Sequence, residues 1–419
     1  MPVIVKILVS LTIILVVNKF LKKLSLSLLI GTIVLAFWTG QSINTIAEIT
    51  WDRFMSMDNA FLSLIIVLVI WLSSQMEKAG IMNDLVRTLK ASLSFKGSLI
   101  VLPAVIGLLP MPGGALFSAP LVDDSDEEKK IEPIEKTRIN YWFRHIWEYT
   151  WPLYPGLILT SDISGLHIYQ LMLLGLPITL ASLVTGYFFF LRKIPQVSGE
   201  KTAAEHHFLK LISPITIVIT VYAILLIFFP GISKLSKYLP MTIGLLAAML
   251  SLQIMRPLTK EKWKSVLLSK KALTMVLIVI LVRIYGAFIE ARLPGGTLLM
   301  EQMRVELNNV GIPLIILVLV IPFISGITTG VSVGFVGASM PIVISLLGSS
   351  PNLSHLLSTV ILAFTFGFMG VMLSPVHVCL IVTNEYFKTN LAKSLTAIIP
   401  PVLVLMAVAA VYAAVIWFI

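Results

Sequence analysis

Hydrophobic residues fall along this chain in long unbroken runs rather than in the stripes or alternations of water-soluble elements. A membrane-crossing helix needs about 20 mostly apolar residues. Runs of that kind predict spans at 3–18, 24–40, 58–76, 140–163, 168–191, 211–230, 239–256, 272–290, 354–385 and 394–419. Two more apolar stretches, 97–122 and 311–346, are interrupted midway by Pro110-Met111-Pro112-Gly113-Gly114 and by Ser325-Gly326-Ile327-Thr328-Thr329-Gly330. Each half of such a stretch is about a dozen residues, too short to cross at about 1.5 Å per residue. Irregular backbone at membrane depth is tolerated where protein buries it or where it lines a wet cavity. Both stretches are therefore predicted to be re-entrant helical hairpins, with Pro/Gly-kinked ordinary spans as the alternative.

The same series of parts occurs twice: three spans, an amphipathic connector, a hairpin, a broken span and a final span. It fills 1–191, with hairpin 97–122 and broken span 140–163, and again 211–419, with hairpin 311–346 and broken span 354–385. Residues 192–210 are the expected cytoplasmic linker. Each half then crosses five times, and an odd number gives the halves opposite orientation, as in the inverted repeats of secondary transporters. Charge tests the scheme independently. The loops around Lys19–Lys23, 77–97, 119–144, 192–210, 256–271 and 386–393 share one side and hold 24 of the 31 Lys and Arg. The other side holds six (Lys6, Arg53, Lys234, Lys237, Arg292 and Arg304), and Arg283 lies within a span. By the positive-inside rule both termini are expected outside.

Composition narrows the function classes. Of 419 residues 57% are hydrophobic and 12% charged, against about 25% charged in soluble domains. Water-soluble enzymes, nucleic-acid binders and disordered scaffolds are excluded, and the partner implied is a lipid bilayer. The net charge of +10 belongs to the cytoplasmic loops. The single cysteine, Cys379, excludes an intramolecular disulfide, and no clustered Cys/His spacing points to a metal. The first apolar stretch lacks a basic leader and a small-residue cleavage site, so it reads as a span. The mixed-charge segment Asp123–Arg138 reads as a solvated connector.

Candidate chemistry gathers at the interruptions. Glycine and small hydroxyl residues let backbone groups approach a ligand, and half-helix N-termini favour an anion. Hairpin one offers Pro112, Gly113, Gly114 and Ser118; hairpin two offers Ser325, Gly326, Thr328, Thr329 and Gly330, with Ser332 and Ser339 further on. Close helix packing is the competing reading. Tyr154-Pro155-Gly156 interrupts the first broken span, followed by Thr160, Ser161 and Asp162. Ser374-Pro375-Val376-His377 interrupts the second, followed by Thr383, Asn384 and Glu385. Proline frees a carbonyl there, so unwound turns are candidate Na⁺ ligands or dipoles for a substrate. Asp162 and Glu385 read as solvated caps at span ends.

The segment Asn140–Tyr149 is unusually polar for a span. Arg144 and Glu148, at i,i+4, are expected to pair on one helix face. Arg144 suits a carboxylate, His145 titrates near neutral pH, and Glu148 suits a proton or Na⁺. An interfacial aromatic anchor built on Tyr141, Trp142, Trp147 and Trp151 is the alternative. His377 is a candidate substrate or proton ligand. Arg283 either faces a partner chain or pairs with an acid.

Two hairpins, two broken spans and five-crossing inverted repeats resemble the ion-transporter superfamily, which includes divalent anion–sodium symporters, gluconate permeases and sodium–proton antiporters. Leu109–Pro120 and Asn140–His145 resemble, more closely, an integral-membrane family catalogued as domain of unknown function 401, over essentially the whole chain. The resemblance implies an all-α, elevator-type transporter, a homodimer, with hairpins and broken spans as the moving part. Dicarboxylate symporters carry Ser-Asn-Thr at each hairpin tip. Here the tips read Pro-Gly-Gly and Gly-Ile-Thr-Thr-Gly, so those contacts do not transfer. The expected function is transport of a small solute, an organic anion first, coupled to Na⁺ or H⁺ across a cell inner membrane, with no other cofactor. A cation–proton antiporter using Glu148 is the alternative, and the membrane subunit of a binding-protein-dependent permease is a second. No phosphate-binding loop is present for ATP, and no Ser–Lys, Asp–Asp or His-Glu-x-x-His set falls within the spans, so an intramembrane enzyme is not expected. Substrate identity, coupling ion, stoichiometry and direction are not encoded in any motif.

Overall fold

The computed structural model describes residues 1–109, 114–126, 128–194, 208–348 and 350–419. Helices joined by turns make up these residues, with a single antiparallel bridge between Arg292 and Leu298. Before the linker run α1 (Val3–Leu21), α2 (Leu24–Trp38), α3 (Ile43–Met55), α4 (Met57–Lys78), α5 (Ile81–Ser92), α6 (Phe95–Gly107), α7 (Ala115–Ser125), α8 (Pro133–Arg144), α9 (Pro155–Ser164) and α10 (Ile168–Gly186). A π-helical turn at Tyr187–Leu191 extends α10. After the linker come α11 (Phe208–Phe228), the short α12 (Pro230–Leu235), α13 (Leu239–Met255), α14 (Lys260–Leu267), α15 (Lys270–Glu290), α16 (Leu299–Val310), α17 (Leu314–Thr329), α18 (Ser332–Ser345), α19 (Leu353–Met372), α20 (Val378–Phe387) and α21 (Leu391–Trp417).

Among the described residues seven helical stretches are long and apolar enough to cross a membrane, or eight if the bent pair α16–α17 is one span. Side chains such as Ile227, Phe228, Leu250 and Leu273 stand exposed on the outside. An apolar exterior wrapped around an apolar core is the pattern of a multi-pass membrane protein. The predicted spans 24–40 and 239–256 fold as the apolar helices α2 and α13, of 15 and 17 residues.

Two groups of helices share the core. In one, α2 lies against α1 and α15, α4 against α13 and α15, and α11 against α13. The other gathers α6 to α9 and α17 to α20, with α10 and α21 packed on each other at its flank. Contacts across the two halves come in exchanged pairs. Thus α2 meets α15 while α13 meets α4; α3 meets α15 while α14 meets α4; α7 meets α20 while α18 meets α9; α1 meets α16 while α11 meets α5. The stretches 97–122 and 311–346 each fold back on themselves, α6 against α7 and α17 against α18. In the second, Gly330 and Val331 alone separate the two helices.

The connector behind α7 is tied down rather than loose. Lys136 Nζ lies 2.7 Å from Asp123 Oδ1 and 2.9 Å from Asp126 Oδ2, and Asp126 also accepts the backbone N–H groups of Lys130 and Ile131. Burial would raise the Asp126 pKa, but the Lys136 hydrogen bond, those two N–H groups and the Lys136 charge outweigh it and hold the carboxyl below its usual range. A depressed carboxyl contributes stability that is present above its unfolded pKa and lost as pH falls through the folded one. Asp126→Asn is therefore expected to cost about 1–3 kcal/mol at pH 7. In thermal unfolding of the purified protein the gap to wild type should close as pH falls below the carboxylate range. A gap that persists there would show that the charge is not what Asp126 supplies.

Candidate functional site

Helix is interrupted within both 140–163 and 354–385, but the first break lies in a different place from that expected. The chain leaves α8 at Arg144 and stays irregular through Tyr154; Pro155 is the first residue of α9. Proline suits a first helical turn, where its missing N–H costs nothing, so Pro155 starts a helix rather than interrupting one. The backbone of 145–154 finds partners in its own turns: His145 N–H donates to the Trp142 carbonyl and Trp151 N–H to that of Trp147. Its side chains supply what neighbouring helices lack. Trp147 Nε1 donates to Ala104 O, Thr150 Oγ1 to Met172 O and the Tyr154 hydroxyl to Gly107 O. Tyr141 and Trp142 are almost wholly buried, which sets aside the interfacial-anchor reading for these two.

The second break, Leu373–His377, falls where proline predicts it. It interlocks with hairpin two. The Ser374 hydroxyl donates to Ile327 O at 2.6 Å, and His377 Nδ1 lies 2.7 Å from Gly330 O. Gly330 holds φ +65°, and a Cβ there would sit 3.0 Å from both Ser374 Oγ and Val376 Cγ2. Across the site Gly156, in the first turn of α9, presses on Ser332, the first residue of α18; a Cβ on Gly156 would stand 2.9 Å from Ser332 Cβ. The N-termini of α9, α18 and α20 thus meet at one place, and their unpaired N–H ends make it positive. Gly114 packs on the Arg144 guanidinium, where a Cβ would collide with it.

Within this junction His145 and His377 face each other, Nε2 to Nε2, at 3.2 Å, and Tyr141 stands edge-on to both rings. Cys379, in the first turn of α20, completes a buried cluster with the two histidines, all ligand atoms lying within 4.8 Å of one another. Glu148 is buried beside it and has one oxygen, Oε2, with no hydrogen-bond partner. Arg144 and Glu148 do not lie i,i+4 on one helix face, because α8 ends at Arg144.

Of the residues singled out in the sequence, Gly114, Arg144, His145, Glu148, Pro155, Gly156, Gly330, Ser374 and His377 come together at or beside this junction. Pro112 and Gly113 lie outside the described residues. Ser118 faces back to Gly114 O; Thr160, Thr328 and Thr329 hydrogen-bond to carbonyls of their own helices. Gly326 lets α17 meet the backbone of Gly367, and Pro375 is exposed. Thr383 accepts from Asn140, and Asn384 accepts from Thr389 and Ser394. Ser325 is buried with its hydroxyl unpartnered. Asp162 is not a solvated cap: it accepts from the Tyr238 hydroxyl and lies 3.4 Å from the Arg283 Nε. Arg283 therefore pairs with an acid of its own chain. Glu385 is exposed, as a cap should be. Cys379 escaped sequence reasoning because a lone cysteine bears no disulfide; its signal was the His377-x-Cys379 spacing at a broken span.

A family described as "Protein of unknown function (DUF401)" has a sequence model that matches residues 4–416. The chain belongs to this family. No curated protein matches it.

In this DUF401 protein Gly330 meets two local demands at once, a positive φ and a close approach. Alanine there must take a left-handed backbone, costing roughly 1–2 kcal/mol, and must also displace Ser374 or Val376. Gly330→Ala is expected to lower the thermal midpoint in detergent relative to Gly295→Ala, whose added Cβ meets nothing within 4 Å. Equal midpoints would contradict the interlock between hairpin two and the second break.

Proposed function

We propose that this DUF401 protein is a secondary transporter, not an enzyme, moving a small organic anion coupled to Na⁺ or H⁺ across a cell inner membrane by an elevator motion. The observation that carries the reading is the buried junction where two helix breaks and a hairpin tip meet, with three helix N-termini and Arg144 supplying positive charge. Paired positive dipole ends at broken helices are how secondary transporters hold anionic groups. The exchanged contact pairs between the halves support an inverted repeat of five crossings each, with re-entrant hairpins entering from opposite sides and both termini outside. On this reading the chain joins the ion-transporter superfamily. The moving body comprises 97–122, 140–163, 311–346 and 354–385; the first spans of each half form a dimeric scaffold in the bilayer. Asp162 and Arg283 join α9 of the moving body to α15 of the scaffold.

One feature favours the second reading, a cation–proton antiporter: the buried Glu148 with its open oxygen, the kind of intramembrane acid that carries a proton or Na⁺. Thermal unfolding of the detergent-purified protein against a panel of organic anions, with and without Na⁺, separates the two. An anion at ten times its dissociation constant stabilises by about 1.4 kcal/mol. Symport expects a shift from one anion that grows with Na⁺ or acid and is lost in Arg144→Gln. Antiport expects shifts from Na⁺ or pH alone, lost in Glu148→Gln. Silence to every anion and to Na⁺ and pH would contradict both.

A further inference from the structure

We propose that His145, His377 and Cys379 form a binding site for one thiophilic divalent transition-metal ion of the Zn²⁺ class. Each histidine is pinned through its other nitrogen: His145 Nδ1 lies 2.6 Å from Tyr141 O, and His377 Nδ1 lies 2.7 Å from Gly330 O. A carbonyl oxygen only accepts, so both Nδ1 atoms carry the ring proton. In the neutral rings both Nε2 atoms then present lone pairs, and they face each other at 3.2 Å. Two lone pairs at that distance in a buried pocket repel unless an electrophile sits between them. The pinning itself matches metal sites, where a ligating histidine gives its second N–H to a backbone carbonyl or carboxylate.

The spacing selects the ion. At a Zn–N length of about 2.05 Å, the 3.2 Å separation corresponds to an N–Zn–N angle of about 103°, close to tetrahedral. A collinear two-coordinate ion would need the nitrogens about 4.1 Å apart at the same bond length. Cys379 Sγ and one ring nitrogen of each histidine lie within 4.8 Å of one another, and a soft thiolate beside two imidazoles is a Zn²⁺-type donor set. Its place in the first turn of α20 lets the helix N-terminus stabilise the thiolate. Binding displaces the thiol proton to solvent. The fourth position falls to the open Oε2 of Glu148 or to water, which leaves the ion exchangeable. Three of the four candidate donors come from the two broken segments, so an ion here would lock both breaks to hairpin two through Gly330.

The proposal stands apart from the transport reading, since metal binding is read without any solute. Tag-free, full-length protein in detergent is titrated with Co²⁺ and then Zn²⁺. The expected result is one Co²⁺ per chain, with the intense visible bands of a tetrahedral ion and a thiolate-to-cobalt charge-transfer band. That band can come only from Cys379, the single cysteine. One equivalent of Zn²⁺ should abolish both signals. His145→Gln and His377→Gln are each expected to weaken binding at least tenfold. Should either variant fail to fold, X-ray absorption of the Zn²⁺-loaded wild type replaces it, with one sulfur and two imidazole nitrogens expected around the metal. Absence of stoichiometric Co²⁺ binding, a weak six-coordinate spectrum without the charge-transfer band, full affinity in a folded histidine variant, or a zinc shell lacking sulfur would each overturn the proposal.

Discussion

Two interruptions of helix inside an apolar body, at 145–154 and 373–377, place peptide groups where water cannot satisfy them. Most other features of the core follow from how those groups find partners. The first break is closed by Trp147, Thr150 and Tyr154 reaching carbonyls of α6 and α10. The second is closed by Tyr141 from α8 and by the bond from Ser374 to hairpin two. The hairpin in turn needs a residue that tolerates φ +65° and a neighbour 3.0 Å away, hence Gly330. Each break therefore depends on helices it does not belong to. That is why the polar centre is also an interlocked part of the protein.

Much of this was legible in the sequence, and for a physical reason. Membrane burial converts a fold into runs of apolar residues, and interruptions of those runs stand out. Both folded-back stretches and the second break at Ser374–His377 could be read from where Pro, Gly and hydroxyl residues fall. The first break lies at 145–154 rather than at Tyr154–Gly156, because a proline at the first helical position marks a beginning. Side-chain pairings over long sequence distances could not be read at all. His145 and His377 are 232 residues apart, and Asp162 meets Tyr238 and Arg283 from other helices. Nothing in the local pattern of Thr160, Thr383 or Asn384 shows which groups their side chains bond.

The polar centre combines opposing demands. Three helix N-termini and Arg144 favour an anion, while Glu148, Cys379 and the two imidazole lone pairs favour a proton or a cation. A junction with both characters suits coupled binding of an anion and a positive ion, because each offsets the desolvation cost of the other. The ion pair of Asp162 with Arg283, 3.4 Å apart and nearly buried, ties α9 to α15, and α18 also packs on α15.

The central claim is that the two folded-back stretches enter from opposite faces without crossing. Single cysteines at Ser92 and Asp124, flanking the first, and at Ile312 and Ser350, flanking the second, are all exposed positions. Placed in a Cys379→Ser background in oriented membranes, they can be labelled with a thiol reagent that does not cross lipid. Ser92→Cys and Asp124→Cys are expected to react only from the cytoplasmic face, and Ile312→Cys and Ser350→Cys only from the opposite one. If the two members of either pair reacted from different faces, that stretch would be a full span and the inverted repeat would fail.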